Sequence, residues 1–311
     1  MLVTILLFAA FQVQAEDAAL KAQTQKLRAL LRESPKLDLR RTEFAIQPPS
    51  SGWALDMVSS VAVDAKGTIY LLQRGEKAEP VVALNRDGRI LRSWGKGLYK
   101  MPHSIRIDPA GNVWTVDAES SHVLKFTPEG VKLLEIAVGG QPKNAKSRFC
   151  GTTDIAFARD GRLYIADGYA NARVLEYSGE GKRLREWGTP GTGPGQFHLP
   201  HGIAIDEAGV VYVADRENGR IQRFDRNGKY IGEWSHLGKT FSLKIGGGAL
   251  WIGTQPRDEP NGSPGWLIKV DRNTGKVLGY VDSTGHHSVE LTAAMELMTG
   301  TRPDKLLWFR R

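Results

Sequence analysis

The sequence predicts an all-β chain, a six-bladed β-propeller carrying a short N-terminal helical arm. Three observations predict it. A strand–turn–strand unit recurs along the 311-residue chain at intervals of roughly 35–50 residues, the period of propellers and solenoids. Within each unit apolar and polar residues alternate, the pattern of β-strands. Glycine supplies 35 of the 311 residues, above the usual ~7%, and returns at the turn of each unit. A hydrophobic fraction of 41% and a charged fraction of 24% exclude a disordered chain. The length would suit two average domains, but no linker separates two halves. The net charge of +8 is spread along the whole chain. A nucleic-acid partner would need a basic patch or stripe, so that class is excluded. The one cysteine, Cys150, excludes an internal disulfide and a cysteine-based zinc site.

Residues 1–15 read as an export signal. The apolar run Leu2 to Phe11 is too short to cross a bilayer, which takes about 20 residues. It leads into Val13-Gln14-Ala15 and then Glu16-Asp17, a small-residue cleavage pattern. No Lys or Arg precedes the run, and the alternative is a buried N-terminal helix. The mature chain is expected to be secreted or periplasmic, with no membrane span. Residues 16–41 form the helical arm or linker. Helix formers fill it from Asp17, Leu20, Leu27, Leu30 and Leu31 share one side, and Pro35 stops it.

Residues 42–311 form the propeller. Four units begin alike, at Ser59 (SSVAVDAKGTIYLLQRG), His103 (HSIRIDPAGNVWTVDAE), Thr153 (TDIAFARDGRLYIADGY) and His201 (HGIAIDEAGVVYVADRE). Turn glycines fall at Gly67, Gly111, Gly161 and Gly209. Two further strands follow, as in RIQRFDRNGKYIGEWS from Arg220, giving four antiparallel strands per unit. A fifth unit starts at Phe241 and a sixth at His287, which runs out after three strands at KLLWFRR. TEFAIQ near Thr42 is expected to supply the missing strand and close the ring. Radially repeated four-stranded units make a β-propeller.

His103, His201 and His287 occupy the same repeat position, the start of the innermost strand, in blades two, four and six. Ser59, Thr153 and Phe241 fill it in blades one, three and five. Alternate blades stand about 120° apart around the axis of a six-bladed propeller, so three imidazoles should converge there. Three neutral nitrogens with one open position make the ligand set of a catalytic zinc site; the alternative is that they satisfy backbone polar groups in the channel. A second repeat position, just past strand two, shares this rim and carries Arg74, Tyr169 and Arg216. Arginine offers a fork for a carboxylate, and tyrosine beside a cation can move a proton. Asp117, Asp167 and Asp215 recur at one position and read as blade-to-blade structural hydrogen bonds. His122, His198, His236 and His286 share no repeat position.

The segments DGYANARV from Asp167, FHLPHGIAID from Phe197, ADRENGRIQRF from Ala214 and MPHSIRIDPAGNVWTVD from Met101 resemble the peptidyl-α-hydroxyglycine α-amidating lyases. These are six-bladed propellers of the NHL-repeat superfamily, and the resemblance covers roughly residues 57–290. It implies zinc on His103, His201 and His287, a catalytic Tyr169, active-site arginines at Arg74 and Arg216, and a structural calcium held by the backbone carbonyls of Val61 and Ile105. It implies a lyase, a monomer in our reading, that cleaves the C–N bond of a peptidyl-α-hydroxyglycine, a small-molecule or peptide substrate with a terminal carboxylate, to a peptide amide and glyoxylate. Three departures stand out. Ser288 replaces the aspartate that follows the third histidine and helps to bind calcium. Ala170 replaces the cysteine that would pair with Cys150. Blades five and six match poorly, which leaves His286 as a rival to His287. The alternatives are a zinc enzyme acting on another small carboxylate and a non-catalytic NHL scaffold.

Overall fold

The computed structural model describes residues 2–140, 151–301 and 305–311, with side chains from residue 17 onward; Cys150 lies outside the described residues. A single helix, Leu2–Glu33, precedes the strands. It runs through both the expected signal and the expected arm, and it ends just before Pro35. No helix of the described residues is long and apolar enough to cross a membrane.

Six four-stranded antiparallel sheets follow, each a blade. Blade one is Val58–Val63, Ile69–Gln73, Val81–Leu84 and Ile90–Trp94; blade two is Pro102–Ile107, Val113–Asp117, His122–Phe126 and Lys132–Ala137. Blade three is Asp154–Phe157, Leu163–Asp167, Arg173–Tyr177 and Arg183–Trp187; blade four is Pro200–Ile205, Val211–Asp215, Arg220–Phe224 and Tyr230–Trp234. Blade five is Lys239–Gly246, Ala249–Gln255, Gly265–Val270 and Val277–Ser283. Blade six takes Glu290–Leu291, Leu297–Gly300 and Leu306–Arg310 from the C-terminal end and Arg40–Glu43 from the N-terminal side. The closing strand begins two residues before Thr42, because Arg40 pairs with Arg310 and Thr42 with Trp308. Phe44 then packs on Trp308, with ring centroids 5.4 Å apart.

The local chemistry explains these blades. In the first turn of blades one, two and four, Asp64, Asp108 and Asp206 accept backbone N–H bonds from residues two and four further on. Such Asx turns release the chain into a glycine with positive φ, as at Gly111 (86°). The second strands, such as VWTVD and VYVAD, are buried along their whole length, although the sequence alternates. Each blade is covered by a neighbour on both faces, so both faces of its inner strands lose water. Only the outermost strands, such as ILRSW, alternate with solvent.

Six apolar clusters sit between successive blades. A recurring lock joins some of them. Trp94, Trp187 and Trp234 end the outer strands of blades one, three and four, and each lies over a turn glycine of the next blade. A Cβ on Gly130, Gly228 or Gly275 would stand 2.8, 2.7 or 2.6 Å from those indoles, so only glycine fits. The arm docks at the junction of blades four and five, where Leu27 and Leu31 are buried with Trp234, Leu237 and Ile252. Thr24 and Arg28 bind Asp258 and Glu259 at 2.7 and 2.8 Å, which ties the arm to a rim loop.

Candidate active site

The three histidines meet at the axis, His103 and His201 from the second position of their inner strands and His287 from just before Glu290–Leu291. Their ring centroids are 4.7–5.0 Å apart, and one ligand atom from each lies within 4.8 Å of the others. Each imidazole is oriented by the next blade. His103 Nδ1 lies 2.6 Å from the carbonyl of Thr153, His201 Nδ1 is 2.8 Å from that of Phe241, and His287 Nδ1 is 2.8 Å from that of Ser59. A carbonyl can only accept, so every Nδ1 carries the proton and every Nε2 presents a lone pair. The odd-blade residues of the same repeat position thus set the tautomers of the even-blade histidines.

Tyr169 completes this ring from blade three. Its hydroxyl lies 2.9 Å from His103 Nε2 and 3.2 Å from His201 Nε2. Arg216 is buried beside it, with its guanidinium 5.0 Å from the Phe241 ring centre and 5.9 Å from that of Tyr169. Glu217 pairs with it at 2.8 Å. Arg74 stands on the other side, its Nε donating to the Pro102 carbonyl at 2.9 Å. Arg74, Tyr169, Arg216 and His287 open into one cavity of about 400 Å³, walled by Met57, Val58, Phe241, Asn261 and Pro264. The sequence pattern missed Asn261 and Pro264, because they belong to the loop between Gln255 and Gly265, the longest of the loops that join second and third strands.

These residues fit a divalent cation. Three lone pairs converge, and one phenolic proton can satisfy only one of them. Protonation cannot serve the rest. Burial, then the neighbouring imidazole and arginine charges, hold His103 and His201 well below the usual histidine range. Burial and then Arg74 push His287 down to about 3. A neutral, acceptor-only cluster is what a metal ion needs. His286 stays outside it, with its Nε2 3.0 Å from Gln255 Oε1, so His287 is the third member of the cluster. His122 pairs with Glu135 at the surface, His236 meets the carbonyl of Gly275 at 2.9 Å, and His198 is exposed.

The calcium implied at Val61 and Ile105 does not fit. Both residues are fully buried, two positions further down their strands than the histidine position. The cavity under the histidines is lined by Ser288 where a carboxylate would be needed, and its one lining carboxylate, Asp154, is already paired with Arg106 at 2.6 Å. Asp117 and Asp215 are structural, as expected, but among the described residues their carboxylates bond within their own blades. Asp117 accepts from Lys100 N and Met101 N, which enter its own blade, and from Glu119 N and Ser120 N. Asp215 does the same for His198 N and Arg220. An antiparallel pair sets the end of strand two beside the segment entering strand one, so the nearest unpaired N–H groups belong to the same blade.

The fold is that of a six-bladed β-propeller with three histidines at its axial mouth. Residues 197–224 match the NHL repeat. Virginiamycin B lyase from Staphylococcus aureus superposes with a TM-score of 0.62 over 88% of this chain and all of that one, at 14% identity, a likeness of fold alone. The chain is similar to the peptidyl-α-hydroxyglycine α-amidating lyases, as its motifs indicated. Peptidyl-α-hydroxyglycine α-amidating lyase 1 of Drosophila melanogaster is 34% identical over 60% of this chain and 41% of the relative. Peptidyl-glycine α-amidating monooxygenase of Mus musculus is 31% identical over 62% of this chain, but the match spans only 23% of that enzyme.

Proposed function

We propose that the chain is a zinc-dependent lyase that cleaves a peptidyl-α-hydroxyglycine, or a closely similar carbinolamide, to an amide and glyoxylate. The observation that carries this reading is the meeting of three oriented histidine lone pairs, with a phenol between two of them, at the edge of a cavity that two guanidiniums line. His103, His201 and His287 would hold the metal, which when bound supplies Lewis acidity toward the carbinol oxygen.

The chain's own residues do the rest. Arg74, fixed through Nε to the strand entering blade two, binds the terminal carboxylate; Arg216 shares its charge with Glu217 and serves chiefly to pack Tyr169 and Phe241. Tyr169 takes the hydroxyl proton of the carbinol and returns a proton to the departing amide nitrogen. The C–N bond breaks, the C–O bond becomes the aldehyde of glyoxylate, and no water is consumed. Apolar walls at Met57, Val58 and Phe241 keep solvent from the reacting atoms. No covalent nucleophile is needed.

The test is conversion of α-hydroxyhippurate, a minimal carbinolamide, by zinc-loaded protein. Benzamide and glyoxylate in equal amounts are the expected products. Zinc on the protein with glyoxylate release no faster than the uncatalysed rate would leave a zinc enzyme acting on another small carboxylate. Absence of both would leave a binding scaffold. We further propose that the protein acts outside the cytoplasm as a monomer, with a mature N-terminus at or near Glu16; recovery of chain that retains Met1 from the cytosol of a secreting host would count against export.

A further inference from the structure

Below the histidines the channel is closed by an ion pair. Arg106 leaves the inner strand of blade two, three residues past His103. Its Nε lies 3.0 Å from Asp154 Oδ1 and its Nη2 lies 2.6 Å from Oδ2. Nη2 also reaches the Leu243 carbonyl of blade five, on the far side of the axis, at 3.3 Å. Asp154 belongs to blade three and accepts two more bonds, from Ser104 Oγ at 2.5 Å and from Ile203 N of blade four at 3.2 Å. One buried pair therefore joins the inner strands of blades two, three, four and five. It also divides the channel: on the histidine side lies a small cavity of about 10 Å³, and on the other a space of about 140 Å³ lined largely by Ile107, Phe157, Ile205 and Ile245.

The small cavity carries two unmet demands. Arg106 Nη1 and Ser288 Oγ are buried and make no hydrogen bond among the described residues, and both residues line it. Its size suits one water, which needs about 10–15 Å³ and two or more polar partners. Ser60 and Ser104 lie on the same wall.

We propose that Arg106 is the channel's resident cation, taking the place of a second metal, and that the protein binds a single divalent ion, at the histidines. The alignment of the inner strands supports this. The residue after the histidine position is Ser60, Ser104, Asp154, Gly202, Ser242 and Ser288 in blades one to six. The one carboxylate of that ring is in blade three, within reach of Arg106, and blade six has a hydroxyl. A divalent ion at this level would meet a buried guanidinium and compete with it for Asp154. A water held by Arg106 Nη1 and Ser288 Oγ fills what remains. The inference concerns the channel below the histidines and stands whether or not the chain is an amidating lyase.

The experiment is a calcium titration of the zinc-loaded protein, read by Tm and by elemental analysis, alongside the Arg106→Met variant. Wild type should carry no stoichiometric calcium, and neither millimolar calcium nor a calcium-selective chelator should move its Tm. Arg106→Met leaves Asp154 buried and uncompensated, so its Tm should fall by about 10 °C, the scale for breaking a buried pair in a chain of this size. Calcium should restore part of that loss, because the site would then need a cation. Stoichiometric calcium on wild type, or a Tm that rises with it, overturns the proposal. So does an Arg106→Met protein as stable as wild type. If the variant does not fold, the wild-type titration decides alone.

Discussion

Tyr169→Phe separates the roles of the ring and the hydroxyl. The ring packs edge-on against His103 and His201, with centroids 5.3 and 5.8 Å away and interplanar angles of 81° and 82°, and phenylalanine keeps all of that. Only the hydroxyl is lost, 2.9 Å from one Nε2 and 3.2 Å from the other. In the metal-free protein this removes a donor from a buried acceptor, at a cost of about 1–3 kcal/mol. For a chain of this size each kcal/mol moves Tm by about 2–4 °C, so metal-free Tyr169→Phe should melt a few degrees below wild type. In the zinc-loaded protein the lone pairs belong to the ion, and the difference should close. Turnover should nevertheless fall by about 10²-fold or more, roughly 2.7 kcal/mol of barrier, the scale of a lost acid–base group. The assay is Tm with and without chelator, zinc content after dialysis and glyoxylate release from α-hydroxyhippurate, on one preparation. Loss of zinc in the variant would make the hydroxyl a ligand and refute the assignment of the metal to histidines alone. Full zinc with full turnover would place the proton transfer elsewhere.

Three further outcomes follow from the same geometry. His201→Ala should lose its zinc by elemental analysis while His286→Ala keeps it, since His286 faces Gln255; equal zinc in wild type and His201→Ala would remove the site from this position. Arg74→Ala should lower kcat/KM for the carboxylate substrate far more than for its uncharged amide analogue, and equal losses would mean that Arg74 does not bind the carboxylate. Metal-free protein should lose stability steadily as pH falls. The buried imidazoles of His103, His201 and His286 and the partly exposed one of His287 have depressed values in the folded state, desolvation being the first cause, with about 4 for His286 and about 3 for His287. The unfolded chain binds protons near pH 6.5, so each imidazole weakens the fold by about 1.4 kcal/mol per pH unit below that until its folded value is reached. Melting curves taken from pH 7 down to pH 4 check this, and a flat Tm across that window would show that the imidazoles are not held neutral.

Much of this architecture was legible because a propeller turns sequence period into angle. Once Ser59, His103, Thr153, His201, Phe241 and His287 are written in one column, alternation places the histidines 120° apart, and no contact information is needed. The same reasoning found Arg74, Tyr169 and Arg216 on the rim and the closing strand near Thr42. It failed where a column gives position but not partner. The repeated aspartates were assigned across blades, yet Asp117 and Asp215 take N–H groups from their own blades. It also failed where a residue breaks the repeat, as in the Asn261–Pro264 wall and the arm that ties down the neighbouring Asp258 and Glu259.

Arg106 shows what reading further down the same columns would have added. Three residues past the histidine position the blades carry Ala62, Arg106, Ala156, Ala204, Lys244 and Glu290. Three charges among small residues, on strands buried from both faces, have to find partners inside the channel. Glu290 meets Lys244 at 2.6 Å, and Arg106 turns one layer up to Asp154. Each successive ring of side chains thus has its own chemistry: lone pairs at the mouth, hydroxyls and one carboxylate beneath, ion pairs at the waist. The order has an electrostatic consequence. The Arg106 charge is compensated by Asp154 one layer away, whereas Arg74 contributes directly to holding His103 and His287 neutral. The imidazoles are therefore kept free of protons by burial and by arginines at the mouth, where a substrate carboxylate would partly offset those same charges. Carboxylate binding should then strengthen the hold of the histidines on a cation, so that anchoring the substrate and retaining the metal favour one another.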